Sequence, residues 1–103
     1  MATNRPAPHR FTLVNETGYT IYSLYVSPSA SDDWGENILD MDVLEEGQSL
    51  SVPLEGGDGI HSWDLLLLDA SLDELTYNQI DLFAISKMTI FYDDLGLPAC
   101  WVE

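Results

Sequence analysis

The residues best suited to chemistry form one acidic stretch between Asp32 and Glu46. Seven of its fifteen residues are carboxylates, and none is lysine or arginine. Like charges this close repel one another, and water, salt or a bound cation must offset the repulsion. Hard divalent cations such as Ca²⁺ take about six to eight oxygen ligands, which a loop is well suited to supply. The stretch therefore predicts either a calcium site or a strongly hydrated surface.

The candidate calcium ligands are oxygen-bearing side chains in the first part of this stretch. Asn37 adds a neutral amide oxygen, and Trp34, amid the carboxylates, is the tryptophan that we expect to be exposed and to report a ligand. The EF-hand template does not fit, because counting from Asp40 places Leu44 and Glu45 at its fifth and sixth positions, where it requires an acidic or amide side chain and a glycine. Calcium would need another loop geometry. The candidate metal ligands are Asp32, Asp33, Glu36, Asn37, Asp40 and Asp42.

Four other aspartates raise the same question. The segment from Asp69 to Asp73 has oxygen side chains at its first, third and fifth positions, as a calcium loop does, but it lacks the required glycine, and an ordinary turn is favoured. Asp64 and Asp81 lie within apolar strands, where no lysine or arginine between residues 11 and 86 could pair with them. Backbone N–H groups, a metal or solvent at a strand end must satisfy them.

Catalytic arrangements are not indicated. His61, Ser62 and Asp64 are close in the sequence, but strand alternation would send neighbouring side chains to opposite faces. Cys100 has no nearby base and is expected to pack as a small apolar residue. The GGDG segment, residues 56 to 59, lacks the lysine of a phosphate-binding loop. We therefore expect a protein that is not an enzyme.

Charge is the strongest global feature. Asp and Glu total 18 and Lys and Arg total 3, for a formal net charge of -15. The basic residues are Arg5, Arg10 and Lys87, so residues 11 to 86 hold fifteen carboxylates without lysine or arginine. Direct binding to nucleic-acid phosphates or to an anionic membrane is disfavoured. Divalent cations and basic protein surfaces are the favoured partners, and a surface that only confers solubility is the alternative.

Alternating apolar and polar residues predict about seven short strands. RFTLVN and YTIYSLYVS alternate on either side of Glu16-Thr17-Gly18 and predict a β-hairpin. HSWDLLLLD is too continuously apolar for a strand with one wet face, so we predict a central strand covered on both sides. LDELTYNQIDLF is expected to return antiparallel to it. GQSLSVPL, KMTIFYD and ACWV complete the set.

These strands predict an all-β fold, a single-domain antiparallel sandwich or barrel. Ser31, followed by two aspartates, predicts an N-cap for one short helical turn through Leu39 in the acidic loop, although Gly35 weakens that helix. Residues 1 to 8 predict a disordered arm before a single β domain at residues 9 to 103. With Cys100 as the only cysteine and no apolar run of membrane-spanning length, we expect a cytoplasmic protein.

Several segments together resemble a family of short acidic bacterial proteins. The shared pattern is a VN-x-TG opening at residues 14 to 18, an LYVSPS segment at 24 to 29, a DDWG loop at 32 to 35, and later WDL and DL segments. The family is similar to a small acidic cyanobacterial calcium-binding protein without EF-hands. Asp40 stands where the pattern has glycine, which leaves the ligand set open, and Phe83 stands where it has cysteine, which argues against a thiol-dependent role. The resemblance implies calcium ligands at Asp33, Glu36, Asn37 and Asp42.

Two function hypotheses follow. The first is a non-enzymatic calcium-binding protein, a buffer or sensor, in which the bound ion relieves repulsion in the acidic loop and stabilises the native state. The second is a polyanionic interaction protein that occupies a basic partner surface, including a role as a nucleic-acid mimic. Calcium should raise stability in the first case, whereas ordinary salt should weaken partner binding in the second.

Overall fold

The chain folds into β-strands joined by turns and one long connection. The computed structural model describes residues 9–54, 59–71 and 73–103, and within these ranges it contains no helix and hence none that could cross a membrane. The predicted arm at residues 1 to 8 and residues 56 to 58 of the GGDG segment lie outside the described residues. The strands are β1 (Arg10–Asn15), β2 (Ile21–Pro28), β3 (Ser49–Pro53), β4 (Trp63–Asp69), β5 (Glu74–Ile80), β6 (Lys87–Tyr92) and β7 (Pro98–Val102).

The strands form two sheets that pack as a sandwich. The four-stranded sheet has the order β3-β1-β6-β7, and the three-stranded sheet has the order β2-β4-β5. Neighbouring strands are antiparallel except for β1 and β6, which are parallel. Each sheet has two edge strands, so neither closes into a barrel within the described part of the chain. The predicted all-β class and the sandwich are confirmed, with one parallel pair that the sequence pattern did not indicate.

Strand alternation places one face of each sheet in the core. β1 buries Phe11 and Leu13, and its neighbour β6 buries Met88 and Ile90. From the other sheet, the largest fully buried side chains are Ile21, Leu24, Leu65, Leu67 and Leu75. Removing this much apolar surface from water is the main favourable contribution to folding.

β4 is the central strand of its sheet, as predicted, and β5 pairs with it antiparallel. Leu65 and Leu67 face the core and are fully buried, whereas Leu66 and Leu68 on the opposite face are only partly buried. The expectation that both faces are covered is therefore only half met. The continuous leucine run correctly indicated a central position but overestimated the cover on its outer side.

The predicted hairpin of β1 and β2 is wrong, because the two strands belong to different sheets. Residues 16 to 20 carry the chain across the sandwich, and the buried Asn15 side chain holds this crossing. Its Nδ2 donates to the carbonyl oxygens of Tyr19 (2.8 Å) and Leu44 (2.9 Å). Its Oδ1 accepts from the backbone N–H (3.0 Å) and hydroxyl (2.7 Å) of Thr17. Alternation cannot distinguish a turn within a sheet from such a crossing.

The outer side of the four-stranded sheet differs from the rest of this acidic chain. It carries Arg10 and Lys87, two of the three basic residues, and Trp101, which is 69% exposed and stacks on Phe91 with ring centroids 5.8 Å apart. None of the four strands contains an Asp or Glu residue, and the nearest in the sequence to β7 is Glu103, whose backbone is hydrogen-bonded to that of Lys87. We call this surface the basic sheet face, formed by Arg10, Thr12, Val14, Ser49, Ser51, Pro53, Lys87, Thr89, Phe91, Ala99 and Trp101.

Candidate functional site

The candidate metal ligands lie on the connection between β2 and β3, residues 29 to 48, which we call the acidic connection. It runs back along the free edge of β2. Ile38 N–H donates to the Leu24 carbonyl (2.8 Å), and Ile21 and Leu44 exchange two backbone hydrogen bonds of 2.9 Å. Leu39 and Leu44 are buried in the core. The acidic connection thus covers an edge that would otherwise be free to pair with another strand.

Asn37 attaches the acidic connection to β2 through its side chain. Its Oδ1 accepts from the backbone N–H groups of Leu24 (2.9 Å) and Leu39 (3.1 Å). Its Nδ2 lies 3.4 Å from the carbonyl oxygens of Tyr22 and Asp40. The amide oxygen that the sequence offered as a neutral metal ligand therefore already holds the backbone in place.

Asp33 and its serine neighbours shape the start of the acidic connection. Asp33 Oδ1 accepts from Gly35 N–H (2.9 Å), and the Asp33 carbonyl accepts from the Ser27 hydroxyl (3.0 Å). Ser31 Oγ accepts from Asp33 N–H (3.2 Å), as an N-cap would, but no helix follows. Gly35 has a φ of +74°, outside the helical range, and the tight turns come later, at residues 37 to 42.

The remaining candidate ligands point into solvent. Asp32, Glu36, Asp40 and Asp42 are all exposed. The structure does not bring the six candidates together around one point. In residues 9–54, 59–71 and 73–103, no three His, Cys, Asp or Glu side chains are grouped closely enough to hold a metal ion.

Within the described part of the chain, lysine and arginine do not pair with these carboxylates. Among the described residues the only contact between a basic and an acidic side chain joins His61 Nδ1 to Asp81 Oδ2 at 3.3 Å, and both side chains are accessible to solvent. Arg10 donates instead to the Ser51 hydroxyl (3.1 Å) on the basic sheet face. Among the described residues, no lysine or arginine therefore opposes the negative potential of the acidic connection, and solvent and dissolved ions screen it.

Of the two aspartates predicted to lie within strands, Asp81 follows the end of β5, whereas Asp64 lies in β4 and has neutral partners. Its Oδ1 accepts from the Ser29 hydroxyl (2.7 Å) and from Gln79 N–H (2.9 Å). Ser62 donates to Ser29 (2.9 Å), while His61 contacts Asp81 rather than Asp64. Hydroxyl and backbone donors thus satisfy the carboxylate, and the serine, histidine and aspartate of this segment do not form a catalytic triad.

The segment from Asp69 to Asp73 forms the turn between β4 and β5, as the favoured interpretation predicted. Asp69 Oδ1 accepts from Ser71 N–H (2.9 Å), the Ser71 hydroxyl (2.6 Å) and Asp73 N–H (3.1 Å). Its Oδ2 accepts from the Tyr92 hydroxyl of β6 (2.7 Å). Burial by itself would raise the pKa of Asp69, but the hydrogen bonds from Ser71, Tyr92 and Asp73 outweigh it and lower that pKa below its ordinary value of 3.8. The Asp69 carboxylate therefore links the two sheets.

Cys100 is unsuited to thiol chemistry. It is partly buried against the core, and this burial raises the pKa of its thiol above the ordinary value. A raised pKa lowers the fraction of reactive thiolate near neutral pH. The expectation that Cys100 packs as a small apolar residue agrees with this placement.

The three tryptophans are placed differently from the sequence expectation. Trp34 is only partly exposed and lines a cavity of about 270 Å³ together with Glu36 and the buried Trp63. Trp101 on the basic sheet face is the exposed tryptophan. The prediction of an exposed Trp34 was therefore wrong, because its side chain lies at a cavity beside the buried Trp63.

A groove of about 480 Å³ lies between the acidic connection and the start of β3. Its lining combines the carboxylates of Asp42 and Glu45 with apolar side chains that include Val43, which is 40% exposed. Met41, the apolar residue two positions before Val43, is 93% exposed. We call this feature the acidic groove. In the sequence, the signal for this groove is the alternation of acidic and apolar residues from Asp40 to Val43, which a pattern of oxygen ligands alone does not reveal.

Comparison with known proteins identifies a similar fold and no related protein of known function. No family model and no curated protein matches the chain. Among solved structures, it is similar to a protein from Eubacterium rectale determined by NMR. The two chains are 13% identical with a TM-score of 0.72, and the match covers 99% of this chain and 94% of the other. At this identity the similarity concerns the fold alone.

Proposed function

We propose that this protein is a non-enzymatic interaction protein whose acidic connection binds a basic surface on a partner protein, in the cytoplasm. The observation that carries the proposal is that the carboxylates of the acidic connection are exposed and dispersed, and that no lysine or arginine of the described residues pairs with them. Carboxylates that are spread along the acidic connection can contact many basic side chains of a partner at once, whereas a single ion needs ligands that converge on one point.

The physical signature of such binding is kinetic. Exposed ion pairs contribute only about 0 to 1 kcal/mol each, so no single pair should dominate the affinity. A one-signed surface instead raises the association rate of an oppositely charged partner by about 10- to 1,000-fold, and salt removes that gain. Salt dependence is therefore the property to measure.

The test is association with poly-L-lysine at about 0.05 M and about 0.5 M sodium chloride. We expect binding at low salt that is largely lost at high salt, and binding weakened in the variant Asp32→Asn, Glu36→Gln, Asp42→Asn. A matched control removes three exposed carboxylates elsewhere, with Glu16→Gln, Glu74→Gln and Asp94→Asn. If the two variants bind equally well, the acidic connection is not the binding surface.

Calcium binding is a second candidate function. It is supported by the unrelieved repulsion among the exposed carboxylates and by the resemblance that implies ligands at Asp33, Glu36, Asn37 and Asp42. Because these side chains do not converge, the acidic connection would have to rearrange around Ca²⁺, and Asn37 would have to release the Leu24 N–H group.

Thermal unfolding with EDTA and then with millimolar calcium separates the two functions. Calcium binding would raise the unfolding midpoint far more than sodium chloride of equal ionic strength, and would change the fluorescence of Trp34. The variant Asp33→Asn, Glu36→Gln, Asp42→Asn should lose both responses. A midpoint that depends only on ionic strength would rule out the calcium function.

A further inference from the structure

We propose that the acidic groove binds an extended partner segment in which apolar side chains are flanked by lysine or arginine. This inference rests on the proposed function and specifies the segment of the basic partner that makes the closest contact. It differs from general attraction between charges, because it requires an apolar side chain on the partner as well as a positive charge.

The lining of the acidic groove supplies both kinds of contact. Asp42 and Glu45 are exposed carboxylates at the groove, and no lysine or arginine of the described residues lines it. Val43 and Ile38 are 40% and 36% exposed beside them, so their apolar surface is open to solvent. A wholly hydrophilic cation would leave that apolar surface in water, whereas an apolar side chain between two cationic ones would cover it.

The edge of β3 beside the groove favours an extended conformation. Asn15 N–H donates to the Gln48 carbonyl, and Leu54 N–H donates to the His9 carbonyl. In an antiparallel pair, every second residue of a strand forms hydrogen bonds with its neighbour. Given the β1–β3 register, the backbone groups of Ser49 and Ser51 therefore point away from β1. Within the described residues no other strand pairs with that edge. An added strand would find backbone partners there, as in other cases of strand addition.

A second copy of this chain does not fit the groove. Each copy carries a net charge of -15, and its basic residues, Arg5, Arg10 and Lys87, include no two that flank a single apolar residue. Two copies would also repel each other over a long range. Charge complementarity therefore selects a segment of a different, basic protein.

The test compares two synthetic peptides of equal length and charge, one alternating lysine with leucine and one alternating lysine with serine. We expect wild-type protein to bind the lysine–leucine peptide at least about tenfold more tightly in fluorescence anisotropy. Val43→Ser should reduce that ratio towards one. Val102→Ser, which changes a similarly exposed valine on β7, should leave it unchanged.

A second pair of variants tests the charged part of the site. Asp42→Asn with Glu45→Gln should weaken binding of both peptides, and Glu74→Gln with Asp94→Asn should weaken it less. Circular dichroism verifies that each variant is folded. If both peptides bind wild type equally well, the inference about the groove is wrong while the proposed function stands. If neither binds at low salt, the proposed function is wrong as well.

Discussion

Asp69 shows how a single carboxylate stabilises this sandwich. It is 1% exposed, and it joins the end of β4 to Tyr92 of the other sheet. Asp69→Asn should lower the free energy of unfolding by about 1 to 3 kcal/mol at neutral pH, because the variant loses a charged acceptor of several hydrogen bonds. Urea unfolding measures the loss. Asp94→Asn, which alters an exposed carboxylate, should change stability little.

The same residue predicts a pH dependence. Because the pKa of Asp69 is lower in the folded protein than its ordinary value of 3.8, its contribution is fully present above pH 3.8 and is lost as the pH falls through the lower folded value. Protonation of the many other carboxylates affects wild type and Asp69→Asn alike. The gap between their unfolding free energies should therefore stay constant from neutral pH down to about 5 and shrink below 3.8. A gap that widens on acidification would contradict this assignment.

Asp40 has the backbone conformation of a glycine. Its φ is +55°, in the left-handed region that is costly for most residues with a Cβ atom. Asp40→Gly and Asp40→Ala remove the same charge, so the difference between their unfolding free energies reports the cost of the positive φ at residue 40. We expect the glycine variant to be more stable by about 1 kcal/mol in chemical unfolding. Equal stabilities would mean that residue 40 relaxes to a negative φ.

The acidic connection covers the free edge of β2, and Asn37 holds it there. Asn37→Ala removes the acceptor for Leu24 N–H and Leu39 N–H and should lower stability by about 1 to 3 kcal/mol. Hydrogen exchange at the Leu24 amide should accelerate accordingly. Asn37→Asp retains an acceptor oxygen and should accelerate exchange less. Asn78→Ala, an exposed position on β5, provides the control, and equal exchange in all variants would contradict this role.

The positions of the strands could be predicted from the sequence better than the pairing between strands or the contacts of single side chains. Local alternation and one continuous apolar run were enough to predict the strands, because six of the seven strands bury side chains in the core. The β1–β2 hairpin failed because the contact that decides it, from Asn15 to the Leu44 carbonyl, spans 29 residues. Asn37 was interpreted by residue type as a metal ligand, yet its partner Leu24 N–H lies 13 residues away. Residue types indicate which side chains can accept or donate hydrogen bonds or bind a metal, whereas the fold determines which groups they contact.

For the whole molecule, charge should limit stability. With a net charge of -15 and no lysine or arginine paired with a carboxylate among the described residues, salt screens mainly repulsion. The screening length falls from about 30 Å at 0.01 M to about 3 Å at 1 M. The thermal unfolding midpoint should therefore rise with sodium chloride. The rise should be smaller in the variant Asp32→Lys, Glu74→Lys, Asp94→Lys, and a midpoint that falls with salt would contradict the prediction.

The basic sheet face gives the molecule an electric dipole as well as a net charge. Its negative end lies at the acidic connection, and the side that carries Arg10 and Lys87 is the less negative end. A dipole experiences a torque in the field of a charged body, so the protein should turn before it touches a cationic partner. Encounters would then begin with the acidic connection foremost. On a positively charged chromatography support the same torque would favour adsorption of the molecules in one orientation, through the acidic connection.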